Sequence, residues 1–295
     1  MPRSAVDLMV KEPSKPELNQ HPDPVTTIET VDPKTAQCWL ELNKVNRRYR
    51  DELAKRFARD MAEGRWLLTG EPIQFNIDGF LIDGQHTLSA IVKSGVTLRI
   101  NVTRGLSREA QSCINIGVSR TLSDQLTILG YSSPSILSPG ARLAFLWTHK
   151  RLSLRVESVS GPEIQEFLCE NPELADAAQF ASTVRCVILP GVVCAATWRF
   201  IKLGHYQSLV HEFFRDLATM RTDGDGDPKS ALLRRFILAR EHRERLKTPQ
   251  FLYAVVRTFN DCYLERELHR MQLPSGRAAG NIPSIILPGG EVWEE

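Results

Sequence analysis

Asp83-Gly84-Gln85-His86-Thr87-Leu88-Ser89-Ala90 is the stretch where residue types and spacing point most directly to chemistry. A β-type run, Phe80-Leu81-Ile82, ends at Asp83-Gly84, and from there Leu88, Ile91 and Val92 recur at helical spacing until Gly95. The first N–H groups of a helix lack partners within it and carry the positive end of its dipole, so such a start suits phosphate or carboxylate. Glycine at the junction lets a ligand approach the backbone, and Gln85 and His86 in the first turn can donate to the same anion. A plainer use of the same residues is open: Asp83 caps the helix and His86 is a partly buried polar group.

Elements on both sides must hold that junction in place. Val25–Val31 is a short β-type run, and Asp32-Pro33 supplies a cap and a first helical residue for a helix over 34–43. Leu53, Phe57 and Met61 predict a second helix over 50–64, with Gly64 as its stop. Ile73, Phe75 and Ile77 alternate with polar neighbours, and Asp78-Gly79 predicts a two-residue hairpin turn. Val96, Leu98, Ile100 and Val102 form one face of a further strand. Beyond Ser107 the pattern turns helical. Ser107 is placed to cap a helix through Cys113, another covers Arg120–Leu129, and Ser160-Gly161-Pro162-Glu163 is a capping box with proline inside it. Helices are expected over 174–183, 191–203, 205–220, 229–246 and 249–271.

The fold class is therefore α+β, a small α/β module over 25–125 followed by an all-helical domain over 126–273. Five prolines among the charges of residues 1–24 predict a mobile arm. The Gly- and Pro-containing tail 274–295 is expected to run over the surface.

The octapeptide resembles the DG(Q/E)(H/R)RxxA box of the ParB/sulfiredoxin-like superfamily, where it also follows a hairpin strand and opens a helix. Upstream, Asn46-Arg47, Arg50, Trp66 and Gly70-Glu71-Pro72-Ile73 fit the layout of the ParB-like domains common in bacteriophages and mobile elements. The resemblance covers residues 26–125. It implies a nucleotide, CTP or ATP with Mg²⁺, whose phosphates sit on Gly84, Gln85 and His86, with Asn46, Arg47 or Arg50, Thr87 and Arg120 around them. Thr87 replaces the second basic residue of the box, which removes a guanidinium from the phosphate site; Arg48 or Arg50 could supply the charge. Asn115 stands where relatives carry aspartate. No cysteine matches the sulfiredoxin active-site position. If the pocket is catalytic, Asp83 and His86 are the acid/base candidates with Glu71 in support, for phosphotransfer or for metal-dependent DNA cleavage. A degenerate structural or oligomerisation module is the remaining alternative.

Two basic stretches could meet nucleic acid. Arg47–Arg65 holds seven basic and four acidic residues; Arg234–Lys247 holds six and two. The second is expected on one helix, with Arg234, Arg235, Arg240, Arg243, Arg245 and Lys247 tracking phosphates. With 37 basic against 35 acidic residues, the formal charge of +2 leaves DNA binding to such local patches. Hydrophobic residues at 42% and charged residues at 24% exclude a collagen-like or fully disordered chain. No apolar run reaches membrane-span length, so a cytoplasmic protein without membrane contact is expected. Six scattered cysteines without a CxxC pair read as reduced, buried thiols and not as a zinc or disulfide framework. In Asp223-Gly224-Asp225-Gly226-Asp227, Pro228 and Arg234 stand where a calcium loop needs glycine and glutamate, so an acidic turn is expected. DNA, nucleotide and a second copy of the chain are the expected partners.

Overall fold

The first helix begins where its cap predicts. The Asp32 carboxylate accepts the Thr35 N–H at 2.7 Å and Pro33 opens the helix, in a computed structural model that describes residues 23–44, 46, 48–114, 120–152, 159–275 and 281–292. Most of the expected N-terminal arm, together with Arg47 and Asn115, lies outside the described residues. The chain divides into two units, Met1–Gly117 and Val118–Glu295.

In the first unit the order is β1 (Val25–Val31), α1 (Pro33–Glu41), α2 (Asp51–Ala62), β2 (Ile73–Asn76), β3 (Leu81–Asp83), α3 (Gln85–Ser94) and β4 (Leu98–Leu106). The sheet runs β1-β4-β2-β3; β4 is antiparallel to β1 and parallel to β2, and β2 and β3 form the hairpin. Its turn is longer than two residues: Asn76 Oδ1 accepts the N–H groups of Asp78 at 3.0 Å and Phe80 at 2.9 Å, which draws Ile77–Phe80 into the bend. Val31, Phe75, Leu81, Leu88, Ile91, Ile100 and Val102 form the core between sheet and helices. The segment after β4 is a 3₁₀ turn, Arg108–Cys113, which Ser107 does not cap with its side chain.

The regular elements of the second unit are helices among the described residues: α4 (Leu122–Ile128), α5 (Pro134–Thr148), α6 (Gly161–Glu170), α7 (Leu174–Thr183), α8 (Pro190–Lys202), α9 (Gln207–Thr219), α10 (Pro228–Glu241) and α11 (Thr248–Tyr263), with an isolated antiparallel bridge between Ile286 and Val292. Ser160 and Glu163 close the predicted capping box at the start of α6. Helix α8 is buried at every residue from Gly191 to Phe200. It meets α5 at a glycine contact: a Cβ on Gly140 would lie 2.5 Å from Cys194 Sγ, and one on Gly191 would lie 3.1 Å from Pro139 Cβ. Phe200 stacks on Phe259 at 3.9 Å, and each such buried aromatic contributes about 2–3 kcal/mol by area. The described part of the tail is pinned: Ile285 is buried, His205 Nε2 donates to the Ile286 carbonyl at 2.7 Å, and Asn260 bonds both Ser284 and Ile286.

Further expectations change. Helix α10 stops at Glu241 and α11 at Tyr263, because Arg243 and Glu265 turn left-handed (φ 54° and 53°). The Glu244 and Arg266 N–H groups then close back on the Ala239 and Asp261 carbonyls. Helix α5 is additional to those expected. Among the cysteines Cys194 is buried, but Cys38 and Cys169 are exposed.

Candidate functional site

Helix α3 leaves β3 through Gly84, which is itself the N-cap in the left-handed region (φ 102°, ψ 6°). Asp83 is the last residue of β3, so Gly84 and not Asp83 holds the N-cap position expected of Asp83. Packing explains the glycine. A Cβ there would overlap Ile73 Cδ1 and come within 3.3 Å of the Ile73 Cα, so β2 fills the space where a ligand approach was expected.

Gln85 and His86 are each only 4% exposed, so what they touch defines what they do. Asn43 Nδ2 donates to Gln85 Oε1 at 3.2 Å. The Arg50 N–H, at the N-cap of α2, donates to His86 Nε2 at 3.0 Å, and the Tyr49 ring stacks on the imidazole. That nitrogen carries no proton while it accepts, so it cannot also donate to a phosphate. Asn46 Nδ2 donates to the Ile82 carbonyl at 3.3 Å. Gln85, His86 and Asn46 thus tie the chain ahead of α2 to the β3–α3 junction.

Beside the junction lies a cleft of about 200 Å³. Its apolar wall includes Phe57 and Trp66, packed edge to face at 5.2 Å, and its polar side is made by Glu71, Gln74, Asp83, His86 and Thr87. Gln74 Oε1 is buried there without a hydrogen-bond partner among the described residues. Two carboxylates and no lysine or arginine line the cleft among the described residues. The structure therefore gathers Glu71, Asp83, Gly84, His86 and Thr87 on one cleft. The Arg50 and Arg48 side chains are exposed and outside its lining, and Arg120 belongs to the second unit, exposed just ahead of α4. A ligand here would meet an aromatic wall, a helix start and two carboxylates, an arrangement suited to a phosphate accompanied by a cation. Sequence reasoning missed Gln74, because a polar residue alternating along a strand reads as its solvent face.

The basic stretch of the second unit is not one helix. Arg234 pairs with Asp225 at 2.5 Å and Arg235 with Glu244 at 2.8 Å, so both are held by carboxylates. Arg240 lies in the last turn of α10, while Arg243, Arg245 and Lys247 lie in the turn before α11; all four are exposed. The Lys247 N–H donates to Gln250 Oε1 at 2.9 Å. Asp227 caps α10, Asp223 donates its N–H to the same carboxylate, and no cluster of three or more His, Cys, Asp or Glu side chains able to hold a metal occurs among the described residues. No described helix is long and apolar enough to cross a membrane.

Comparisons with family models, with curated proteins and with solved structures returned no match.

Proposed function

We propose that the first unit is a ParB/sulfiredoxin-like nucleotide-binding module and that the helical unit adds a basic surface for duplex DNA, the pair serving DNA transactions of a phage or mobile element. One observation carries the nucleotide assignment. The first turn of α3, entered through a left-handed glycine at the N-cap, lines a cleft with an aromatic wall. Phosphates would lie at the helix start and the base against Phe57 and Trp66. Glu71 and Asp83 repel a bare triphosphate, so they are the residues that would hold a divalent ion beside it; the ion supplies the neutralising charge. Asp83 is then the better placed of the acid/base candidates, since His86 Nε2 is already engaged. For DNA, the support is the exposed set Arg240, Arg243, Arg245 and Lys247.

A second reading rests on the bonds of Gln85 and His86. Both act as framework ties, as expected of a module that keeps the box for its fold alone. Thermal shift of the full chain with ATP, CTP and GTP, with and without Mg²⁺, separates the two. A nucleotide at a hundred times its Kd adds about 2.7 kcal/mol, and only when Mg²⁺ is present. Thr87→Arg restores a guanidinium on the cleft and should enlarge the shift. If neither wild type nor the folded Thr87→Arg variant responds to any nucleotide, the framework role is all that the box has.

A further inference from the structure

The sheet of the first unit ends on β1, which pairs with β4 along one side and with no other strand among the described residues. An edge strand offers unpaired N–H and C=O groups to any further strand, and native edges are usually guarded by lysine, proline, a bulge or shortness. None of these protects β1. It runs seven residues, Val25-Thr26-Thr27-Ile28-Glu29-Thr30-Val31, in unbroken register with β4 from Val25–Arg104 to Val31–Leu98. Its one charge, Glu29, lies on the face of the buried Val31. It is held there by Arg104 and by the Thr27 hydroxyl, which donates at 2.7 Å. Two apolar side chains of the strand, Val25 and Ile28, stay 61% and 52% exposed.

The residue order of β1 names its occupant. From either end the strand presents valine, then threonine, then threonine or glutamate, with Ile28 at its centre. Two copies of one strand joined antiparallel are related by a two-fold axis normal to the sheet, so directly opposed residues belong to the same face. With Ile28 on that axis all seven residues are opposed, and a slip to the next permitted register shortens the ladder. Val25 then meets Val31 of the second copy, Thr26 meets Thr30, Thr27 meets Glu29, and Ile28 meets Ile28. No like charges face each other, and each exposed apolar side chain gains an apolar neighbour. We propose that β1 is a self-pairing edge through which two copies of this chain dimerise, antiparallel and centred on Ile28. The two four-stranded sheets become one continuous sheet with both cores on the same side. Pairing consumes both β1 edges, so it closes at two copies. Seven residues from each copy are few beside the about 20–30 a side of a stable interface, so the dimer dissociates in the micromolar range.

The experiment is sedimentation velocity of the full chain, under reducing conditions, from micromolar to submillimolar concentration. Wild type should pass from monomer to dimer over that range and go no further. Thr26 and Thr30 are exposed and oppose each other across the axis. Thr26→Lys with Thr30→Lys therefore sets like charges face to face and should weaken dimerisation about tenfold or more. Thr26→Glu with Thr30→Glu should do the same. An equimolar mixture of these two variants pairs lysine with glutamate at both positions, so it should dimerise at least as well as wild type. That recovery needs both variants folded and the strands in the stated register. The proposal is overturned if wild type stays monomeric across the range, if either like-charged variant dimerises as wild type does, or if mixing restores nothing.

Discussion

Gly84→Ala tests what the glycine at the β3–α3 junction is for. With φ at 102° the residue sits where an L side chain costs about 1–2 kcal/mol. Its Cβ would also run into Ile73 Cδ1, and such overpacking of a full core adds about 1–3 kcal/mol. The expected loss is therefore about 2–5 kcal/mol. Ile73 is 1% exposed, so Ile73→Val alone should cost about 0.5–1.5 kcal/mol. It deletes the atom that the new methyl would hit, so the double variant should be less damaged than the sum of the singles by about 1–2 kcal/mol. The backbone of Ile73, 3.3 Å away, and the left-handed φ remain, so relief is only partial. Hydrogen exchange of full-length protein, followed by mass spectrometry on peptides spanning α3, reads the opening free energy of this unit without assuming that the whole chain unfolds in one step. If Gly84→Ala leaves exchange unchanged, or if Ile73→Val brings no relief, the packing explanation fails and ligand approach regains its place as the reason for glycine.

Three other perturbations have defined signs. Burial holds the His205 pKa below its ordinary value, so stability is full above about pH 6.5 and falls as pH drops towards the folded pKa. Melting curves from about pH 7.5 to about pH 5.5 should drop more for wild type than for His205→Gln, whose amide can still donate to Ile286; equal drops would refute this. Hydrogen bonds from Lys55 and Lys93 hold the Asp51 pKa at about 2, so the contribution of this exposed group is present above about pH 4 and disappears as pH falls towards 2. Asp51→Asn should remove that part of the acid dependence, and an unchanged melting-temperature profile would count against it. Reversing Arg240 and Arg243 to Glu should weaken duplex binding equally across unrelated sequences and flatten its salt dependence, which gel shifts over a salt series will show.

What the residues reveal in advance depends on whether a local rule decides the structure. Asp32-Pro33, Gly64, Gly95 and the Ser160–Glu163 box mark helix ends by chemistry acting within a few residues, and the structure follows them. Helix ends at Lys150, Met220, Arg243 and Glu265 are different. There the left-handed residue is not glycine, so the sequence carries no stop signal, and a pattern reader runs α10 and α11 too long. Helix α5 is hidden for another reason: Pro139 and Gly140 lie inside it, and apolar residues on most of its surface leave no single stripe. At the candidate site, the switch from strand to helix at Asp83-Gly84 is legible from periodicity. The work of its residues is not, because it is decided by groups far along the chain: Ile73 against Gly84, Asn43 on Gln85 and the Arg50 N–H on His86.

The close approach of α5 and α8 also makes the chain a chemical timekeeper. Cys194, sealed against Gly140 with its thiol pushed up to about 12, is neither reachable nor ionised while those helices stay together. Cys38 and Cys169 stand in the open and would be consumed by an alkylating reagent at once. Once they are blocked, the slow arrival of label at Cys194 counts the openings that part α5 from α8, in ordinary buffer and without denaturant.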